Sequence, residues 1–111
     1  MPNMEKKSFN SPDETTKPER AKVEVVVAGG LTFQRVTVEP GWQWSKHLKP
    51  VVRTESCEKH HVIYLISGRL RARMNDGKEE EFGPGDIGVV PPGHDAWVVG
   101  NEKVIWLEIP H

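Results

Sequence analysis

From residue 22 onward the chain is a succession of short runs of β-branched and aromatic residues, each closed by turn-forming residues. Runs of this length and composition, separated by Gly, Pro, Asn or Asp, are typical of β-strands. Eight runs fit the pattern: KVEVVVA, LTFQRVTV, HVIYLIS, RLRARM, EEEF, IGVV, AWVV and KVIWLEI. No segment has a convincing helical period. The sequence therefore predicts an all-β domain.

The run RLRARM alternates strictly between apolar and basic residues. It places Leu70, Ala72 and Met74 on one face of a strand and three arginines on the other. The Asp76-Gly77 pair that follows suits a tight hairpin, because glycine accepts the positive φ of such turns. We therefore expect antiparallel pairing with the next run.

The run HVIYLIS is apolar on both faces. Ile63 and Leu65 face one way, whereas Val62, Tyr64 and Ile66 face the other. A strand covered on both faces belongs to a closed barrel or sandwich whose outer side is also buried. A second subunit, giving a homodimer, and packing by an N-terminal strand explain this cover equally well.

The totals limit the chain to one domain and few classes of partner. Its 111 residues suffice for a single core, which we place in residues 21–111. Residues 1–20 contain three prolines and no periodic apolar pattern, and predict a flexible or loosely docked arm. A net charge of −1 argues against nucleic acid or an anionic membrane. No membrane span or secretory signal is evident, and the single Cys57 fits a reducing compartment, so we expect a cytoplasmic protein.

Two segments resemble the short motifs of the cupin superfamily. The first contains Gly41, His47 and HVIYLISG, and the second is GPGDIGVVPPG. The resemblance covers residues 32–109 and implies a double-stranded β-helix, or jelly-roll, barrel of antiparallel strands. The glycines and prolines of these motifs are explained by turn geometry alone, so they indicate the fold and not the chemistry.

The resemblance also implies a metal site, from which this sequence departs. The family uses two histidines spaced HxH, a glutamate, and a third histidine after the PxG turn. His47 has the spacing of the first histidine, but Lys49 stands at the second position and His61 at the glutamate position. The third histidine is displaced by two residues, because Ala96 stands at its position and His94 precedes it.

An altered ligand set follows from these departures. Residues two apart on a strand share a face, so His94 can still face the interior, about 6–7 Å nearer the mouth. The insertion LKPVVRTESCEK brings Cys57, which could occupy the second histidine position. We therefore predict His47, Cys57, His61 and His94 as ligands of a divalent transition metal ion, namely Zn, Fe, Ni, Mn or Cu. The alternative is that these histidines only donate hydrogen bonds in a pocket wall.

Aromatic residues near these positions predict a small-molecule pocket. Trp42 and Trp44 share a face before His47, and Trp97 lies close to His94. With Tyr64 they are the candidate substrate-binding residues. The competing interpretation is that indoles close the barrel ends or an oligomer interface, and we assign Trp106 to the core or an interface.

Charged residues near the predicted site suggest two further roles. Lys46, Lys49 and Arg53 would attract an anionic ligand to the mouth. Asp95 and Glu55 are candidates to orient a ligand histidine or to act as a general base.

Two functions are compatible with these features. The first is a metal-dependent enzyme that acts on a small organic ligand, and the cupin resemblance implies the dioxygenase or isomerase type. The alternative is a non-catalytic small-molecule binding or sensor module without bound metal, and a storage role ranks last.

Overall fold

The computed structural model describes residues 3–47, 57 and 59–111. Within these residues all eight predicted strands are present, preceded by a short additional strand and interrupted by one helix of four residues. The elements in chain order are β1 (Glu14–Thr16), β2 (Ala21–Ala28), β3 (Leu31–Val38), α1 (Trp44–His47), β4 (His61–Ser67), β5 (Leu70–Met74), β6 (Glu79–Phe82), β7 (Ile87–Val90), β8 (His94–Val98) and β9 (Val104–Glu108).

The strands form two antiparallel sheets. The larger sheet has the order β1-β2-β3-β9-β4-β7, and the smaller has the order β6-β5-β8. Side chains from both sheets, such as Leu65 and Val104 of the larger and Leu70 of the smaller, belong to one buried cluster. The predicted all-β jelly-roll barrel is thereby confirmed.

The alternation expected for β4 is present. Ile63 and Leu65 are 2% and 0% exposed, whereas Tyr64 and Ile66 on the outer face are 38% and 42% exposed. The tight turn after β5 is also present, with Gly77 at a φ of 93° and β6 antiparallel to β5.

The N-terminal segment packs against β2 and β3, and not against the outer face of β4. The Phe9 ring lies over the Arg35 guanidinium at 5.2 Å, and Arg35 forms a 2.9 Å ion pair with the buried Glu24. Strand β1 pairs with β2. The segment thus docks on β2 and β3, and the division of the chain at residue 20 stays a prediction.

No helix in the part of the chain that the structure describes is long and apolar enough to cross a membrane.

Candidate metal centre

Three of the four predicted ligands come together inside the barrel. The potential donor atoms of Cys57, His61 and His94 all lie within 4.8 Å of one another. The Sγ atom of Cys57 is 3.7 Å from Nε2 of His61, and the rings of His61 and His94 meet edge to face with centroids 5.2 Å apart.

Backbone pairing explains why Cys57 and His94 are neighbours. Cys57 forms an isolated antiparallel bridge with His94, in which the Cys57 amide donates to the His94 carbonyl at 2.7 Å. The Gly93 amide donates to the Cys57 carbonyl at the same distance. Residues opposite each other in an antiparallel pair carry side chains on the same face, so thiol and imidazole point together.

His61 reaches the same place through the larger sheet. It is the first residue of β4 and pairs with Val90, the last residue of β7. The chain then turns through Pro91, Pro92 and Gly93, where a φ of 92° suits only glycine, and His94 opens β8. A single turn therefore separates Val90, which pairs with His61, from His94.

Each histidine uses Nδ1 for a hydrogen bond outside the cluster. Nδ1 of His94 donates to the Pro91 carbonyl at 2.7 Å, since a carbonyl can only accept. Nδ1 of His61 is 2.8 Å from Oε1 of Glu108. Both Nε2 atoms remain for the cluster, as is common for histidines that bind metals.

The hydrogen bonds also change the protonation of the cluster. Burial opposes ionisation of the Cys57 thiol, but hydrogen bonds with His61 and His94 outweigh it and lower the pKa of Cys57 to about 6. Burial likewise opposes the charged form of His61, yet its hydrogen bonds with Cys57 and Glu108 raise the pKa of His61 to about 9. For Glu108, burial is outweighed by the hydrogen bond with His61, and its pKa is lowered. The cluster therefore favours thiolate, imidazolium and carboxylate.

A transition metal ion fits this donor set. Bonds of about 2.3 Å to sulfur and about 2.0 Å to nitrogen place tetrahedral donors roughly 3.5 Å apart, close to the 3.7 Å between Cys57 and His61. A thiolate with two imidazoles is a soft to borderline set that suits Zn, Cu, Fe or Ni better than Mn. Without metal, the line from Cys57 through His61 to Glu108 resembles a nucleophile, its base and an orienting acid.

The cluster faces a cavity of about 170 Å³. Its walls include the indoles of Trp42, Trp44 and Trp106 together with aliphatic side chains from both sheets, such as Ile63 and Leu70. Trp42 and Trp44 are buried at 7% and 4% exposure. They line the cavity, and contact with a ligand stays a prediction for both.

The other predicted site residues lie elsewhere. His47 lies in α1, where Nδ1 is 3.1 Å from the Gln43 amide, and it is not in the Cys57 cluster. Tyr64 lies on the exposed outer face of β4. Trp97 alternates with the inward residues of β8 and contacts the Arg73 guanidinium at 5.9 Å. The structure does not bring these three side chains to the cavity.

The carboxylate that contacts the cluster is Glu108, which was not among the carboxylates predicted from the sequence. Asp95, one of the two predicted carboxylates, accepts hydrogen bonds from the Gln43 side chain at 2.9 Å and the Ser45 amide at 3.0 Å. The signal for Glu108 was its parity, because it shares the inward face of β9 with Val104 and Trp106.

The positive charges predicted at the mouth are only partly described. Lys46 is exposed on α1, whereas Lys49 and Arg53 lie outside the described residues, as does the second candidate carboxylate, Glu55. Among the described residues that line the cavity, Lys59 is the only lysine or arginine.

Comparisons with known proteins identify similar folds. No family model and no curated protein matches the sequence. A protein of unknown function from Rhizobium leguminosarum is 22% identical, with a TM-score of 0.66 over 98% of this chain and 99% of its own. A mutant of Bacillus subtilis oxalate decarboxylase is 26% identical, with a TM-score of 0.62 over 88% of this chain and 27% of its own. A cupin-like protein from Thermotoga maritima is 16% identical, with a TM-score of 0.56 over 81% of this chain and 67% of its own.

Proposed function

The chain belongs to the cupin superfamily, and on that premise we propose that it binds a divalent transition metal ion through Cys57, His61 and His94. The bound metal would act on a small, largely apolar organic molecule held in the adjoining cavity. The observation that carries the proposal is the convergence of one thiol and two imidazoles within 4.8 Å at the cavity wall.

The surroundings of the donor atoms favour metal binding over the alternative that His61 and His94 only form hydrogen bonds in the cavity wall. Each imidazole has its Nδ1 fixed by an acceptor, Pro91 for His94 and Glu108 for His61. This arrangement sets which nitrogen faces the cluster and is the usual support of metal-binding histidines. The donor types favour Zn, Cu, Fe or Ni.

Three protein donors leave a coordination position for water or substrate. A metal ion bound there would polarise a substrate oxygen or activate water or dioxygen. The chain's own contribution is to hold the thiolate and imidazoles in place and to exclude bulk water with the indoles of Trp42, Trp44 and Trp106. The cupin resemblance adds the reaction class, an enzyme of the dioxygenase or isomerase type.

The cavity supports a substrate class. Its volume of about 170 Å³ is similar to the ~150 Å³ of an apolar cavity that accepts benzene. Lys59 is the one basic side chain, apart from histidines, in the described lining. A small aromatic or aliphatic molecule with one oxygen donor and at most one negative charge suits this largely apolar lining better than a small dianion such as oxalate, whose charges would face only Lys59 and the bound metal ion among the described groups.

A non-catalytic binding module is the second candidate. The observation in its favour is the apolar cavity, which would hold a small ligand whether or not a metal is present. Metal-free protein that retains its fold and binds such a molecule would support it.

We also propose that the chain forms a homodimer. Tyr64, Ile66, Ile87 and Val89 on β4 and β7 present a continuous apolar face, each 38% to 64% exposed in the single chain. A second copy of this surface would supply the outer cover that β4 lacks.

The deciding experiment is metal analysis of protein purified without an affinity tag, followed by Co²⁺ titration of the metal-free protein. We expect near-stoichiometric transition metal and a thiolate-to-cobalt charge-transfer band. His61→Ala and Cys57→Ser should abolish stoichiometric binding, and Cys57→Ser should remove the band. His60→Ala is the matched control, because His60 is the exposed neighbour of His61. Protein that carries no metal and gives no band with Co²⁺ would contradict the proposal.

A further inference from the structure

Glu108 lies between a proposed metal ligand and the aromatic wall of the cavity. Its Oε1 atom is 2.8 Å from Nδ1 of His61 and accepts a hydrogen bond from Nε1 of Trp106 at 2.9 Å. The Glu108 side chain is only 14% exposed, so water competes weakly for either bond. One oxygen atom thus connects the proposed ligand to the wall.

The register of the strands explains this position. In the β4–β9 pair, Glu108 lies opposite Ile63, two residues from His61 on the same face. Trp106 precedes Glu108 by two residues and therefore points to the same side of β9. Both hydrogen bonds follow from backbone pairing and do not depend on a loop.

We infer that Glu108 is a positioning residue, whose carboxylate fixes the His61 ring so that Nε2 faces Cys57 and a bound metal ion. The inference rests on the metal site proposed above. Trp106 in turn restricts the carboxylate, because its indole N–H donates to the same oxygen atom.

The physical need for such a residue follows from the imidazole ring. Rotation about χ2 of histidine is broad, and a half-turn exchanges the places of the two ring edges. An acceptor fixed on the Nδ1 side removes this freedom and makes Nε2 the donor to the metal. The Glu108 carboxylate and the Cys57 thiolate also supply two negative charges, which balance the two positive charges of a divalent ion.

The first test is Co²⁺ binding by Glu108→Gln, which keeps the size of the side chain and removes its charge. We expect the Kd for Co²⁺ to rise 10- to 100-fold, with altered visible bands, because a neutral amide oxygen is a weaker acceptor than the carboxylate and holds His61 less firmly in one orientation. Glu102→Gln is the matched control, since Glu102 is an exposed acid in the turn before β9. Unchanged Kd and bands in Glu108→Gln would overturn the inference.

The second test needs no metal and separates this inference from the proposed function. In metal-free wild type, NMR should detect a downfield, exchange-protected proton on Nδ1 of His61, hydrogen-bonded to Glu108. Glu108→Gln should shift it upfield or lose it, and Glu102→Gln should not. If wild type binds no Co²⁺ but shows this proton, the metal site is refuted while Glu108 still orients His61. If the proton is absent from wild type, the positioning role is refuted.

Trp106→Phe supplies a third arm if Glu108→Gln does not fold. This change keeps an aromatic ring and removes the N–H that holds Glu108. We expect a weaker effect in the same direction, with a several-fold rise in the Kd for Co²⁺ and faster exchange of the His61 Nδ1 proton. An unaltered proton signal would exclude Trp106 from the arrangement.

Discussion

The Cys57 thiol should be ionised at neutral pH in the metal-free protein. Its pKa is lowered from 9.0 to about 6, because hydrogen bonds with His61 and His94 outweigh burial. One unit above that pKa, roughly ten thiolates stand against each thiol. A cysteine with the ordinary pKa of 9.0 would have about one thiolate per hundred thiols at the same pH. The expected difference in thiolate fraction is therefore large enough for direct measurement.

The free energy of unfolding is a poor measure of the ionisation of Cys57 and its hydrogen-bond partner His61. The lowered pKa of Cys57 contributes stability that is complete above 9.0 and is lost as the pH falls through about 6. The raised pKa of His61 contributes stability that is complete below 6.5 and is lost as the pH rises through about 9. Between pH 6.5 and 9 the two trends oppose each other, because folding transfers a proton from thiol to imidazole without net uptake or release. Stability from the pair should be nearly flat there.

Thiolate absorbance and the rate of iodoacetamide alkylation, followed against pH on metal-free protein, measure the ionisation directly. We expect a midpoint near 6 for wild type. In His61→Ala the midpoint should rise, since burial remains and the main stabilising hydrogen bond is lost. His60→Ala should behave as wild type. A wild-type midpoint at or above 9.0, the ordinary value, would refute the reasoning.

Three further outcomes are expected. Zn²⁺ at about 100 times its Kd should raise the free energy of unfolding of wild type by about 2.7 kcal/mol, which corresponds to about 10 °C in Tm for 111 residues. Thermal unfolding of Cys57→Ser should show no such shift in Tm. An equal shift in Cys57→Ser would exclude the thiolate as a ligand. Leu65→Ala should lower the free energy of unfolding by about 2–5 kcal/mol, because Leu65 is fully buried. Urea denaturation measures this free energy, and a loss below about 1 kcal/mol would contradict the core packing. Ile87→Lys, at a position 64% exposed, should convert a dimer to a monomer in sedimentation velocity, and a wild type that is monomeric at all concentrations would refute the dimer.

The strands could be predicted from the sequence because their signals are local. The alternation of Leu70 and Ala72 with arginines marks one buried face, and the Asp76-Gly77 pair marks the reversal that follows. Such patterns depend on residues two apart and on the φ that glycine allows, so they survive without any knowledge of tertiary contacts. The two exceptions, β1 and α1, are three and four residues long, too short to display a period.

The candidate site could be predicted only in part, because ligand type is local and proximity is not. Cysteine and histidine offer soft to borderline donors wherever they lie in the chain, and the parity of His94 with Ala96 correctly placed it on the inward face. The spacing of His47 also predicted it as a ligand, yet in α1 its side chain lies against the Gln43 backbone.

The tertiary structure decided which groups meet. Cys57 lies beside His94 because of a bridge between residues 37 apart in the chain. Glu108 reaches His61 across 47 residues because β9 pairs with β4. Long-range registers of this kind are set by the packing of the whole barrel, whereas the sequence by itself determined the strands, their inward faces and the donor chemistry available to them.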